Sequence, residues 1–187
     1  MKIVLGSASP RRSELLSQLG FEFRILKADC SEEFDASQSP EEIVLSIARQ
    51  KAVALEPEVN SDELLICADT IVYLDKEVIG KPMDSKDAIR LLHKISGQKH
   101  AVYTGVVIHY KGETHSFSVK TSVYFRPLTS DEIEHYVTHF APLDKAGSYG
   151  IQDWIGLIGV EKIDGSYTNV MGLPTQELFR ELQKFQA

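Results

Sequence analysis

The chain opens Lys2-Ile3-Val4-Leu5-Gly6-Ser7-Ala8-Ser9-Pro10-Arg11-Arg12-Ser13-Glu14-Leu15-Leu16-Ser17-Gln18-Leu19-Gly20, and this stretch decides the fold class. The short unbroken apolar run from Ile3 to Leu5 reads as a buried strand. It stops at Gly6 and passes into small residues. From about Arg11 to Leu19 the apolar positions Leu15, Leu16 and Leu19 share one face, and Gly20 supplies a stop signal. Strand, small-residue loop and helix in that order open an α/β protein. The loop also carries chemistry. Backbone N–H groups and the hydroxyls of Ser7 and Ser9 face the positive end of a helix, which is a ready anion site. Arg11 and Arg12 add planar forks that can grip phosphate oxygens in pairs. Alone, the same residues fit an ordinary N-capped helix with solvated arginines equally well.

Outward from this unit, a strand is expected near Phe21 to Lys27, followed by the acidic loop Ser31-Glu32-Glu33-Phe34-Asp35. Ser39-Pro40-Glu41-Glu42 forms a capping box with proline at the first helical position, predicting a helix to about Leu55. Leu64 to Leu74 reads as a central strand with a carboxylate, Asp69, in its middle. Ser85 to Ile95 has helical spacing and ends at Gly97. His100 to Tyr110 and Glu113 to Phe125 read as a hairpin about Lys111-Gly112. Thr129-Ser130-Asp131-Glu132 is a second capping box, opening a helix to about Thr138. A strand near Leu157 to Ile163 and a helix from Pro174 to Phe185 complete the pattern. The fold class expected is α/β with a mixed sheet and flanking helices, in a single domain over residues 1–187.

Composition narrows the function. The chain has 187 residues, 43% hydrophobic and 25% charged, enough for a sizeable core. Its net charge of −7 repels nucleic acid and anionic membranes at long range, so neither is expected as a partner and any anionic ligand needs local cations. The two cysteines, Cys30 and Cys67, are isolated and read as reduced and structural. The first apolar run is too short for a signal peptide or a membrane span, which points to the cytoplasm.

Asp69 stands among apolar residues, where an ionised carboxylate needs cations, donors or a metal, unless it caps a turn at a strand end. Glu32 and Glu33 lie in a loop that could share a divalent cation with a substrate phosphate, although surface loop acids are common. Lys51, Lys81 and Lys145 sit beside small or turn residues, and a triphosphate needs several such charges. His100, His109, His115, His135 and His139 show no metal-ligand spacing and read as structural or exposed. Trp154 reads as packing, with a base contact left open by its place after Gln152.

Taken together, Ser7-Ala8-Ser9-Pro10-Arg11-Arg12, Ala68-Asp69-Thr70-Ile71-Val72, Gly80-Lys81-Pro82, Ser96-Gly97 with His100, Asp144 to Gln152 and Gly172-Leu173-Pro174 resemble the Maf family of nucleotide pyrophosphatases. The blocks span the chain in order. The resemblance implies a metal-dependent hydrolase that cuts a nucleoside triphosphate between its α and β phosphates, releasing monophosphate and diphosphate. It implies Asp69 as the proton acceptor, and Mg²⁺ or Mn²⁺ held by Glu32 and Asp69. The phosphates would meet Ser7, Ser9, Arg12, Lys51, Lys81 and Lys145.

Arg11, Thr70 and Gln152 match the dTTP/UTP branch of the family. The 7-methyl-GTP branch shows an aromatic residue, Gln and Glu at those places. An amide such as Gln152 both donates and accepts, and so suits the O4 and N3–H edge of uracil or thymine. Ser31 before Glu32 and Asp153-Trp154 after Gln152 depart from the family's usual wording. The resemblance further implies an elongated two-lobed fold with a central cleft, like that of inosine triphosphate pyrophosphatases, and a homodimer. It connects the chain with nucleotide-pool housekeeping and with arrest of cell division. Two alternatives remain open on the sequence: a pyrophosphatase of the 7-methyl-GTP type, and a nucleotide-binding regulator of division with little turnover.

Overall fold

A computed structural model describes residues 2–185. Its elements are β1 (Lys2–Gly6), α1 (Pro10–Gln18), β2 (Phe23–Leu26), α2 (Pro40–Leu55), β3 (Glu63–Leu74), β4 (Glu77–Ile79), α3 (Ser85–Ile95), β5 (Lys99–Tyr110), β6 (Glu113–Phe125), α4 (Ser130–Phe140), α5 (Trp154–Gly159), β7 (Val160–Asp164), α6 (Tyr167–Met171) and α7 (Thr175–Gln183). Among the described residues no helix is long and apolar enough to cross a membrane.

The seven-stranded sheet runs β2-β1-β3-β5-β6-β7, with β4 beside β3. β1 pairs in parallel with both β2 and β3, which requires crossovers of the kind α1 and α2 supply. The β3–β4 and β6–β7 pairs are antiparallel, so the sheet is mixed. Lys111 and Gly112, at φ of 50° and 81°, make the two-residue turn between β5 and β6.

By its contacts the chain divides into two compact units. One comprises Met1–Thr70, Thr104–Val119 and Gly172–Ala187; the other comprises Ile71–Tyr103 and Lys120–Met171. In the first unit, α2 starts at the expected capping box: Ser39 accepts from the Glu42 N–H, and the Glu42 carboxylate accepts from the Ser39 N–H. Such a box contributes about 1 kcal/mol. The buried face of α2 sets Ala48, Ala52 and Leu55 against Val4 of β1, Leu65 and Cys67 of β3, and Val107 of β5. Gly105 of β5 allows the closest approach, since a Cβ there would lie 2.6 Å from the Val44 carbonyl carbon.

In the second unit, α3 and α4 cover a core of Val72, Leu92, Ile95, Val102, Val123, Phe125, Ile133, Tyr136 and Ile155. Asp84 caps α3, and the box expected at Thr129 and Glu132 starts α4. Arg126 also pairs with Glu132 at 2.8 Å, and these contacts hold the Glu132 carboxyl down at about 2.

The chain departs from expectation between Trp154 and Gly159. Those residues form α5, and β7 begins only at Val160. The apolar residues Leu157, Ile158 and Val160 suggest strand, yet Ile155 and Gly159 are buried four residues apart while Leu157 is 78% exposed. That spacing belongs to a helix. The short elements β4 and α6 have no clear signature in the sequence.

His100 is buried at 2% exposure, with Nε2 2.7 Å from the Tyr149 hydroxyl and its ring against those of Phe125 and Tyr149, which also touch each other. Burial pushes it from 6.5 down to about 4. Between those values the unfolded chain binds the proton and the folded chain does not, so stability rises with pH across the window and falls as pH drops from about 6.5 to about 4. In urea titrations, His100→Gln should flatten this slope, removing up to about 3 kcal/mol of the stability change across the window. An unchanged slope would contradict a neutral buried imidazole.

Candidate active site

The loop after β1 is organised by Arg12, which lies in the first unit at 9% exposure. Its Nε donates to the Gly172 carbonyl at 2.7 Å. One terminal nitrogen donates to Ser7 Oγ at 3.2 Å and the Ala68 carbonyl at 2.9 Å, and the other donates to Thr70 Oγ1 at 3.0 Å. Four of the five N–H groups of the fork are therefore engaged by the protein itself. Burial lowers the proton affinity of this guanidinium, and nearby Asp69 opposes that. Arg12 thus ties the loop to β3 and to the segment that begins at Gly172.

Ser7 Oγ also accepts from the Ser9 N–H at 3.2 Å. Thr70 Oγ1 lies 2.9 Å from Thr104 Oγ1, so its hydroxyl is engaged by Arg12 and Thr104. Ser9 occupies the N-cap position of α1, but its hydroxyl makes no cap bond and Pro10 takes the first helical position. The positive end of α1 and the Ser9 hydroxyl are left facing the loop. Arg11 follows, half-buried, in the first turn.

The second cluster in this unit is centred on Lys51. Side chains alternate along β3, so Cys67 and Asp69 share one face, and α2 lies over it. Lys51 projects from α2 beside Ala48 and Ala52, with its Nζ 2.6 Å from Asp69 Oδ1 and 3.0 Å from Glu32 Oε1. Asp69 is 9% exposed and Lys51 8%. Removing one partner of such a pair leaves a buried charge, at a cost of about 3–5 kcal/mol. Glu32 sits in left-handed backbone at φ 53°, and the Gln50 side chain pins the next residue by donating to the Glu33 carbonyl at 2.7 Å. Sequence distance hides this convergence of Glu32, Lys51 and Asp69.

Among the described residues no group of three or more His, Cys, Asp or Glu gathers as a metal site. Two carboxylates nevertheless meet one cation, the Lys51 ammonium. Their hard oxygens fit Mg²⁺ or Mn²⁺, which bind through one or two carboxylates and take their remaining ligands from phosphate and water. Both cysteines are free thiols, and burial pushes Cys67 up to about 12, which leaves it inert as a nucleophile.

Lys81, Lys145 and Gln152 belong to the second unit. Lys81 is exposed and makes no ion pair or hydrogen bond among the described residues. The Lys145 Nζ lies 2.8 Å from Asp144 Oδ1 and 3.8 Å from Asp153 Oδ2. The Gln152 Oε1 is buried with no hydrogen-bond partner among the described residues, a state that costs about 1–3 kcal/mol until a donor arrives. Trp154 packs its ring near His135 and Phe140, at centroid distances of 4.8 and 6.5 Å. Thr104, a buried hydroxyl in an apolar strand, and Tyr136 have no signal in the sequence, whereas Gly172, which acts through its carbonyl, and Asp153 stand in or beside the motif blocks without their partners being legible.

The fold is that of a Ham1-like α/β protein. The Staphylococcus aureus Ham1 protein superposes with a TM-score of 0.53 over 100% of both chains at 13% identity, a likeness of fold. Within that class the chain belongs to the Maf family, described as Maf-like protein, whose pattern matches residues 2–185. It is 48% identical over 184 residues to a Bacteroides fragilis protein named dTTP/UTP pyrophosphatase, covering 98% of this chain and 95% of the relative. A Phocaeicola vulgatus protein of the same name is 50% identical with the same coverage.

Arg12→Lys keeps the charge but replaces the fork with a point donor. It should lower the unfolding free energy by about 3 kcal/mol in urea titrations. Stability equal to that of the native chain would contradict the strut role.

Proposed function

We propose that this chain hydrolyses dTTP and UTP to the monophosphate and diphosphate, working in the cytoplasm as one domain over residues 1–187. The observation that carries the reading is Asp69, held on β3 at 2.6 Å from Lys51 with Glu32 on the same ammonium. The dTTP/UTP pyrophosphatase name borne by relatives of 48% and 50% identity supports it.

In this reading Asp69 accepts a proton from the attacking water. The water oxygen bonds to the α phosphorus, the bond from that phosphorus to the bridging oxygen breaks, and diphosphate leaves. Lys51 orients Asp69 and faces a phosphate oxygen. Glu32 and Asp69 would hold Mg²⁺ or Mn²⁺, which when bound supplies positive charge against the phosphoryl oxygens. Ser9 and the N-terminus of α1 receive phosphate, Ser7 holds the loop in place for it, and Arg12 offers its remaining N–H. Lys81 and Lys145 add charge to the leaving diphosphate.

Gln152 reads the base: its buried Oε1 accepts from N3–H, and its amide N–H₂ donates to O4. Thr70 influences selection through Arg12 and Thr104, to which its hydroxyl is bonded. Arg11 acts from the same turn of α1 as Arg12.

Incubation with dTTP, UTP, CTP and 7-methyl-GTP in the presence of Mn²⁺ should release diphosphate chiefly from dTTP and UTP. Preference for the methylated purine would overturn the base assignment, and tight binding without release would favour a regulator. Asp69→Asn should lower kcat by about 10²-fold or more while the chain stays folded by circular dichroism. Near-native turnover would remove Asp69 from the role of base.

A further inference from the structure

Asp153 occupies the N-cap position of α5, where an aspartate ordinarily accepts from the helix's own N–H groups, yet its carboxylate makes no such bond. Its Oδ2 instead accepts from the Tyr136 hydroxyl at 2.7 Å. The same hydroxyl accepts from the Gly150 N–H at 3.1 Å. The backbone turn that begins at Gly150 closes with the Asp153 N–H donating to the Gly150 carbonyl at 3.0 Å, and Gln152 sits within this turn.

The carboxylate is pressed into the turn: a Cβ at Gly150 would lie 2.5 Å from Asp153 Oδ2. Tyr136 is fully buried on α4, within the core of the second unit, so its hydroxyl stands in a fixed place. Burial, reinforced by the bond to Asp153, pushes the phenol well above its ordinary value and keeps it a donor. Asp153 Oδ2 also lies 3.8 Å from Lys145 Nζ. One carboxylate therefore touches the tyrosine anchor and the lysine and borders the turn carrying the amide whose Oε1 lacks a partner among the described residues.

We propose that Tyr136 and Asp153 are positioning residues for base selection: their hydrogen bond holds the turn that aims Gln152, and the Asp153–Lys145 contact fixes the spacing between base-reading amide and phosphate-facing ammonium. This rests on the reading of Gln152 and Lys145 given above. A helix cap is given up to obtain the arrangement, and the tyrosine takes its acceptor from the turn that carries Gln152.

The test uses the full chain with UTP and CTP, whose bases differ at the edge an amide reads. Tyr136→Phe keeps the ring and removes the hydroxyl. It should lower the UTP-over-CTP ratio of kcat/KM by about 10-fold, through a rise in KM for UTP, with kcat changed by less than about 2-fold. Asp153→Ala should do the same, and it decides the matter alone if Tyr136→Phe does not fold. Asp153→Asn retains an acceptor for the tyrosine and should keep the ratio within about 3-fold. Having lost the charge beside Lys145, it should shift KM for UTP and CTP by a common factor. A folded Tyr136→Phe or Asp153→Ala with an unchanged ratio, beside a Gln152→Ala variant whose ratio collapses, would overturn the positioning proposal and leave the base assignment standing. An unchanged ratio in Gln152→Ala would overturn the base assignment, and the proposal with it.

Discussion

A lysine ammonium held between two carboxylates is the constraint on which the first unit is arranged. Lys51 is 8% exposed and within 3.0 Å of both Asp69 and Glu32. Two anions brought together without a cation would repel, and a buried lysine without an anion would shed its proton. Lys51 and Asp69 make each other's burial tolerable, and the exposed Glu32 adds a second anion to the ammonium. The geometry follows from packing: Ala48 and Ala52 let α2 lie close on β3, which places Lys51 over the face that carries Cys67 and Asp69. A small-residue helix face, serving only to fill a core, thus delivers a charge to the middle of a central strand. Buried ion pairs are poor investments for stability compared with apolar packing. Their retention here is consistent with the proposed chemistry, in which the acid must be ionised and correctly aimed.

The loop between β1 and α1 is held by a different device. Arg12 directs most of its donors to the Ala68 and Gly172 carbonyls and to the hydroxyls of Ser7 and Thr70. Its main structural effect is on the shape of the loop, and the uncapped N-terminus of α1 with the Ser9 hydroxyl is what the loop presents. Thr70 is likewise engaged by its neighbours. Its proposed part in choosing a base is therefore indirect, through the position of Arg12. Gln152 contrasts with it, because its buried carbonyl oxygen has no partner among the described residues.

Local signals in the sequence account for most of the elements. The boxes at Ser39 and Thr129 start α2 and α4, Ser85 to Ile95 is helical over its expected span, and Lys111-Gly112 turns the hairpin. These features are legible because capping and turn chemistry act within four residues. The segment before β7 differs from the expected strand because its apolar residues have a helical spacing, with Leu157 facing out and Ile155 facing in. In the candidate site, residue types were legible from motif blocks, but their partners were not. Arg12 bonds to Gly172 across 160 positions, Thr70 to Thr104 across 34, and Tyr136 to Asp153 across 17. Such pairings depend on the register of the sheet and the placement of helices on it, to which no local pattern gives access.

In the proposed reaction, water activated at Asp69 attacks the α phosphorus. A single turnover of UTP in ¹⁸O-labelled water, followed by mass analysis of both products, tests it most directly. One labelled oxygen is expected in UMP and none in diphosphate. Label in the diphosphate, with unlabelled UMP, would contradict it.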